Sequence, residues 1–299
     1  MILDKLLANL SVEVEPFALC HINPGWRMRL PEPPVPLLHF VLRGQGAICG
    51  QRDVPRPIAA SSMIVIPPGI KHALQADGPI EHERRIGPEQ AGSLVCQPDG
   101  GKPSDACLVV ACGLVKVQHG PALDLFAHLK DMLATDLADE PLVSAAFSRI
   151  LAEQAGIAPG GAAMTKALMT QCLVHFLRHI ASGGSLPWLD ALQDPRLGRA
   201  VDRILEAPSA GHTVESLAET ASMSRSVFAD RFAAAFGQPP MALVHQVRMQ
   251  TAACLLRQEG TLSIDEVAAR SGYSSRSHFS AAFSKHHGAS PTAFRAGVS

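Results

Sequence analysis

Two arginines near the C-terminal end stand at matching places in a pattern that occurs twice. The first copy reads Leu217-Ala218, Met223-Ser224-Arg225-Ser226, Phe228, Phe232, Gly237 and Pro240. The second reads Val267-Ala268, Tyr273-Ser274-Ser275-Arg276-Ser277, Phe279, Phe283, Gly288 and Pro291. The offset is 50 residues at the start of the unit and 51 from the Arg-Ser pair onward. A guanidinium is a planar fork of donors that suits a guanine edge or a phosphate, so Arg225 and Arg276 can do either chemistry. The second set of reactive residues is sulfur and imidazole. Seven cysteines (20, 49, 96, 107, 112, 172 and 254) include no CxxC pair, and in a reducing compartment they are thiols that pack as small hydrophobes. His21 beside Cys20 is placed to lower that thiol's pKa. His39 and His72 could line an effector pocket, help hold a structural metal, or be satisfied by hydrogen bonds inside a barrel.

Each copy of the repeat has the grammar of a helix-turn-helix: a short helix, a tight turn, and a second helix with phenylalanines four apart on one face. Thr213, Ser224, Ser263 and Ser275 or Ser274 are expected N-caps, and Gly237 and Gly288 close the second helices. A first helix ends near Ala207-Pro208. A long helix, Met241 to Arg257, spans about 25 Å and joins the two units. The first turns of the second helix face base edges in this motif. That makes Arg225, Ser226, Ala229 and Asp230 the candidates in the first unit, and Arg276, Ser277, Ser280 and Ala281 in the second. Arg231 and Lys285 suit phosphates. The phenylalanines are expected in the core.

The N-terminal half reads differently. Short β-type runs separated by Pro and Gly are expected at Phe17–Ile22, Trp26–Leu30, Leu37–Arg43, Gly46–Cys49, Met63–Ile66, Lys71–Leu74, Ser93–Cys96 and Cys107–Val110, which suggests a sandwich or small barrel. Gly44-Gln45-Gly46 reads as a hairpin turn. Helical periods follow at Pro121 to Leu133, Leu142 to Leu151 and Met164 to Ile180, and these helices are expected to pack on the barrel and supply a dimer surface. The expected fold class is α+β: a β-barrel domain with packed helices over residues 1–182, a linker over 183–195, and an all-α domain over 196–299.

Thr213 to Arg295 resembles the AraC/XylS-type DNA-binding domain, on Val267-Ala268, Gly272-Tyr273, Phe279, Phe283, Gly288, Ser290-Pro291 and Phe294-Arg295. Met223 to Ala229, with Arg248-Met249-Gln250 and Ala252-Ala253, is similar to the subgroup with a cupin-like N-terminal domain. Pro67-Pro68-Gly69-Ile70-Lys71-His72, with Leu38-His39-Phe40 before it, resembles the cupin family. Cupin enzymes hold a metal with three His and one Glu; here His39 stands without a His-x-His pair or a suitably spaced Glu. The resemblance implies a sequence-specific, DNA-binding transcription regulator, an activator in contact with RNA polymerase, acting as a homodimer and not an enzyme. The alternative is a metal-dependent cupin enzyme fused to a DNA-binding domain. No cofactor is expected, with His39 and His72 the one place for a metal. Cys20, and Cys112-Gly113 followed by Gln118-His119, are also similar to cupin-type regulators that respond to reactive chlorine species by cysteine oxidation. Cys107 precedes Cys112 by five, and Gly87 to Asp105 reads as an insertion. The sensor candidates are therefore Cys20, Cys107, Cys112, His39 and His72, with an oxidant or a small molecule as effector.

Charge alone does not point to DNA. Across 196–299, 11 Lys and Arg stand against 8 Asp and Glu, a net of +3, which leaves −4 for the rest of a chain whose total is −1. A DNA site would have to come from local placement rather than an overall field. The longest apolar run, Ala106 to Val115, is about half of a membrane span. Met1 to Leu10 reads as an amphipathic helix rather than a signal peptide, so a cytoplasmic protein with no membrane partner is expected.

Overall fold

The computed structural model describes residues 7, 10–86, 95–96, 104–119, 123–126, 129, 131–156, 159–183, 194–258 and 262–297. The chain divides into two compact units: Ser11–Val117 with Leu125–Ser185, and Leu186–Ser299 with Met1–Leu10 and Gln118–Asp124.

The first unit is built from two sheets. The strands of the chain are β1 (Leu10–Val14), β2 (Ala18–Ile22), β3 (Trp26–Leu30), β4 (Leu37–Arg43), β5 (Gln45–Cys49), β6 (Pro55–Ala59), β7 (Ser62–Ile66), β8 (His72–Ala76), β9 (His82–Arg85), β10 (Val95–Cys96), β11 (Leu108–His119), β12 (Leu123–Asp124) and β13 (Leu133–Asp136), of which β12 and the end of β11 fall in the second unit. One sheet runs β10-β2-β11-β4-β7-β13, with β1 and β12 also on β11; the other runs β6-β5-β8-β3-β9. Period-two alternation sorts the side chains. On β4, Val41 joins a core with Cys20 and Ile22 of β2, Ile64 and Ile66 of β7, Leu74 and Ala76 of β8, and Leu108, Val110 and Cys112 of β11. Phe40, one residue out of phase, turns to the opposite face. There it stacks on Phe147 of helix α1 (Pro141–Ala155), with ring centroids 4.0 Å apart. The buried residues of α1, Val143, Ala146, Phe147 and Ile150, follow the helical i, i+3, i+4, i+7 period. Helix α2 (Gly161–Gly183) follows, and it buries Met169, Cys172, Leu173, Phe176, Leu177 and Ile180.

Several expectations are corrected here. The helix expected over Pro121 to Leu133 does not form where those residues are described. Leu123–Asp124 returns along Gln118–His119, and Leu133 begins a strand paired with β7. The apolar spacing of Leu125, Phe126, Leu129 and Leu133 fits a helix, but pairing with existing strands satisfies the backbone and wins. Leu10 likewise belongs to β1, while most of Met1 to Asn9 lies outside the described residues. Three further strands were not expected. β6 carries Pro55 and Pro57 and sits at a sheet edge, where a missing N–H is tolerated. The residues of β9 are all exposed, so it shows no alternation, and β1 starts at Leu10, where the helix expected over Met1 to Leu10 ends. Strand Ser93–Cys96 is described only at Val95–Cys96, and most of the stretch read as an insertion lies outside the described residues. Ser182 and Gly183, read as linker-like, are the last residues of α2.

The helical unit contains α3 (Pro195–Glu206), α4 (Val214–Thr220), α5 (Arg225–Phe236), α6 (Pro240–Gln258), α7 (Ile264–Arg270), α8 (Arg276–His287) and α9 (Pro291–Arg295). Thr213 and Ser263 each close a capping box, with Ser216 and Glu266. Ser224 and Ser275 cap α5 and α8, and each such cap contributes about 1 kcal/mol. Gly237 and Gly288 end those helices in the left-handed conformation, at φ 68 and φ 74. The repeat extends to the turn bonds: Met223 N donates to Ala218 O and Tyr273 N to Ala268 O, both at 2.9 Å. Both turns also need a positive φ, supplied by Ser222 (φ 53) in one unit and Gly272 (φ 83) in the other. Phe228, Phe232, Phe279 and Phe283 are fully buried, so the phenylalanines are core. Met249, Ala252, Ala253 and Leu256 of α6 pack with Val267, Ala268, Phe279 and Phe283 in the second helix-turn-helix.

Candidate functional site

In the first unit, register brings together four of the five sensor candidates. Cys112 of β11 faces His39 of β4 directly, and lies two residues along from Val110, the partner of Cys20 on β2. The Cys112 and Cys20 sulfurs are 3.3 Å apart. His39 Nδ1 is 3.0 Å from Cys112 Sγ, His39 Nε2 is 3.0 Å from His72 Nε2, and His72 Nδ1 is 3.2 Å from the Ile70 carbonyl. Cys20, His39 and His72 are 2%, 0% and 3% exposed, and Cys112 is 7% exposed.

The proton positions in this chain follow from its end. Burial pushes the His72 pKa down to about 4, against the opposing pull of the Ile70 carbonyl. Burial, and then the His72 charge, hold His39 well below the ordinary value. Both rings are therefore neutral at pH 7. The Ile70 carbonyl only accepts, so His72 carries its hydrogen on Nδ1 and its Nε2 accepts. His39 must then donate from Nε2, which leaves its Nδ1 as an acceptor for the Cys112 thiol. The Cys112 thiol has three acceptors in reach, His39 Nδ1 at 3.0 Å, Cys20 Sγ at 3.3 Å and the Val110 carbonyl at 3.7 Å, and the ring nitrogen is the nearest and the most basic of them.

Cys107 does not join this group. A residue outside the start of β11, it receives a hydrogen bond from Arg43 Nη2 at 3.3 Å. Five steps along extended chain put it about 16 Å from Cys112, beyond the reach of a disulfide. Cys20, Cys49, Cys107, Cys112, Cys172 and Cys254 are free thiols. The two histidines spend their facing nitrogens on each other, and among the described residues no group of three or more His, Cys, Asp or Glu could hold a metal. The donor set does not fit a cupin metal.

In the helical unit, the first two turns of α5 and α8 present matching surfaces. Arg225, Ser226 and Asp230 are exposed and Ala229 half-buried; Arg276, Ser277 and Ala281 are exposed and Ser280 half-buried. Arg231 and Lys285 are exposed further along, and Arg231 pairs with Asp194 at 3.6 Å. Arg225 meets Glu215 of α4 at 2.8 Å, and Arg276 meets Asp265 of α7 at 3.3 Å. Sequence reasoning missed four residues on this surface. Two are these carboxylates. The others are Val227, which is 44% exposed, and its repeat counterpart His278, also exposed. Extending the 51-residue offset to the third helical position would have found the latter two.

Two capped helix-turn-helix units joined by α6, on a chain that also carries a two-sheet barrel, define a DNA-binding regulator with a sensing domain. Comparison with known proteins agrees: the helix-turn-helix domain family model matches residues 217–297, and the cupin family model matches residues 2–182. The chain belongs to the cupin family and, through its C-terminal domain, to the AraC-type transcription regulators. It is 26% identical over 304 residues to the HTH-type transcriptional regulator MtrA of Neisseria gonorrhoeae, covering 98% of this chain and 97% of that one. It is 40% identical over 107 residues to the RCS-specific HTH-type transcriptional activator RclR of Escherichia coli (strain K12), covering 36% and 37%. The DNA-binding domain of AdpA, solved in complex with a target DNA, is 36% identical, with a TM-score of 0.33, over 34% of this chain and 90% of that one. No helix among the described residues is long and apolar enough to cross a membrane.

Proposed function

We propose that this regulator converts thiol oxidation at Cys20 and Cys112 into altered DNA binding. The observation that carries the reading is the 3.3 Å sulfur contact, with His39 ready to accept the Cys112 proton. With hypochlorous acid, the Cys112 sulfur takes chlorine, giving a sulfenyl chloride and water. The Cys20 sulfur then displaces chloride, releasing HCl and leaving a disulfide. The barrel interior around the pair is filled by aliphatic side chains such as Val110, Ile22 and Leu108, which favours a small oxidant over a larger effector. Cys20 and Cys112 are diagonal rather than directly opposed. A bridge between diagonal partners draws the strands together and is strained, hence easily reduced again. Gly113, beside Cys112, has Phe17 so close that an added Cβ would lie 2.6 Å from its ring, and Phe17 packs on Phe147 of α1 at 5.6 Å. Strand movement therefore has a packed route to the helices.

In this reading, residues 1–182 sense and dimerise, 183–195 link, and 196–299 bind duplex DNA. Arg225, Ser226, Ala229, Asp230, Arg276, Ser277, Ser280 and Ala281 face base edges, with Arg231 and Lys285 at phosphates. The chain is a cytoplasmic, homodimeric activator that contacts RNA polymerase, and it is not an enzyme. Exposed Leu142 on α1 and Met164 on α2 are consistent with a dimer surface there. Hypochlorous acid treatment of the full chain, followed by non-reducing mass mapping and a gel shift, tests the signal. Expected are a Cys20–Cys112 bridge, no Cys107–Cys112 bridge, and a DNA-binding change that Cys20→Ser abolishes. Unchanged affinity with both thiols intact would end the redox reading, and Arg225→Ala with Arg276→Ala leaving binding intact would end the assignment of reading residues.

A further inference from the structure

The same ion pair is built into both helix-turn-helix units. Arg225 opens α5 and reaches Glu215 in the first turn of α4; Arg276 opens α8 and reaches Asp265 in the first turn of α7. The carboxylates are 50 residues apart and the arginines 51, so the pair follows the repeat. Each arginine uses Nη1 for the contact. Among the described residues, the Nε–Nη2 edge of each has no protein partner. Both pairs are exposed, with side-chain values of 70% and 54% in the first unit and 59% and 65% in the second. Pairs this exposed contribute little to stability, and a carboxylate beside a DNA-facing helix repels phosphate. Its recurrence therefore points to a gain at the base.

We propose that Glu215 and Asp265 are positioning residues that hold Arg225 and Arg276 as guanine-reading forks. This rests on the reading of α5 and α8 as the base-facing helices. Guanine presents O6 and N7 side by side in the major groove and asks for two parallel donors, whereas adenine sets a donor beside its acceptor. An unrestrained arginine has many rotamers to freeze on binding, and that ordering costs affinity. A carboxylate on Nη1 fixes the guanidinium plane beforehand and leaves the Nε–Nη2 edge for the base. A phosphate would accept from almost any direction, so fixing the plane gains nothing there. The partner is a duplex with one guanine under each unit.

The test is selection from a randomised duplex pool by the full chain, comparing wild type with Glu215→Gln, Asp265→Asn, Arg225→Lys and Arg276→Lys. Thermal unfolding checks that each variant folds. The wild type should fix a guanine under each unit. Glu215→Gln should relax only the first guanine and Asp265→Asn only the second, each matching the lysine variant of its own unit. Affinity for the wild-type site should fall about tenfold, with the salt dependence unchanged because no phosphate contact is lost. Amide variants that select the wild-type sequence at wild-type weights overturn the proposal, whether or not their unfolding temperature moves. So do amide variants that bind every duplex more tightly with a steeper salt dependence, which would make the carboxylates simple repulsive charges. If the lysine variants also keep the wild-type preference, the assignment of these arginines as base readers fails, and the proposal fails with it.

Discussion

Acid should unfold the cupin domain through His72. In the fold its pKa is about 4, lowered by burial from the ordinary 6.5. The imidazole is thus neutral when folded and protonated when unfolded across that window. The unfolded state binds the extra proton, so stability rises with pH there. The contribution is complete above 6.5 and is lost as pH falls toward 4. A gap of 2.5 units at 1.36 kcal/mol each amounts to about 3 kcal/mol, of which roughly 2 is lost between pH 7 and about pH 4.5. His39, whose pKa is also lowered by burial and by His72, adds in the same direction. Urea unfolding of the full chain, followed by Trp26 fluorescence in a Trp188→Phe background, gives the stability at each pH. His72→Asn keeps a polar group toward His39 but does not titrate, so its loss between those two pH values should be smaller by roughly 2 kcal/mol. Equal pH slopes for wild type and variant would show that His72 is charged or hydrated in the folded protein, and the tautomer chain to Cys112 would fall with it.

Four other outcomes follow from packing and backbone geometry. Ser222→Gly should stabilise the helical domain by up to about 1 kcal/mol in thermal unfolding, because Ser222 is a non-glycine residue at φ 53. Gly272→Ala should destabilise its counterpart turn, because the added Cβ would sit 2.8 Å from Ser209 Cα and 2.9 Å from Arg248 Nε, whose group donates to the Pro208 carbonyl. Phe283→Ala, at a fully buried position, should cost about 3–5 kcal/mol and abolish gel-shift activity. Timed alkylation with mass mapping should label Cys254 before Cys20, Cys49, Cys107, Cys112 and Cys172, since it is exposed and they are buried; faster labelling of Cys107 would contradict the packing around it.

The sequence by itself determined the parts whose causes are local. The caps at Thr213, Ser224, Ser263 and Ser275, the glycine ends at 237 and 288, and the helical spacing of the phenylalanines all act within a turn or two. Both helix-turn-helix units were therefore legible from residue type and offset. The alternating strands Trp26–Leu30 and Leu37–Arg43 were legible for the same reason. Tertiary structure decided what depended on pairing. Pro121 to Leu133 has a helical apolar pattern, yet its described residues fall in strands and bends because neighbouring strands offered partners to its backbone. Whether Cys20 or Cys107 meets Cys112 could not be read from spacing along the chain. The register of β2 against β11 decides it, because that pairing carries Cys20 to within 3.3 Å of Cys112 while Cys107 lies against Arg43. In the same way, each repeated arginine was visible in the sequence, but its carboxylate partner ten or eleven residues earlier became visible only when the two helices of each unit were packed together.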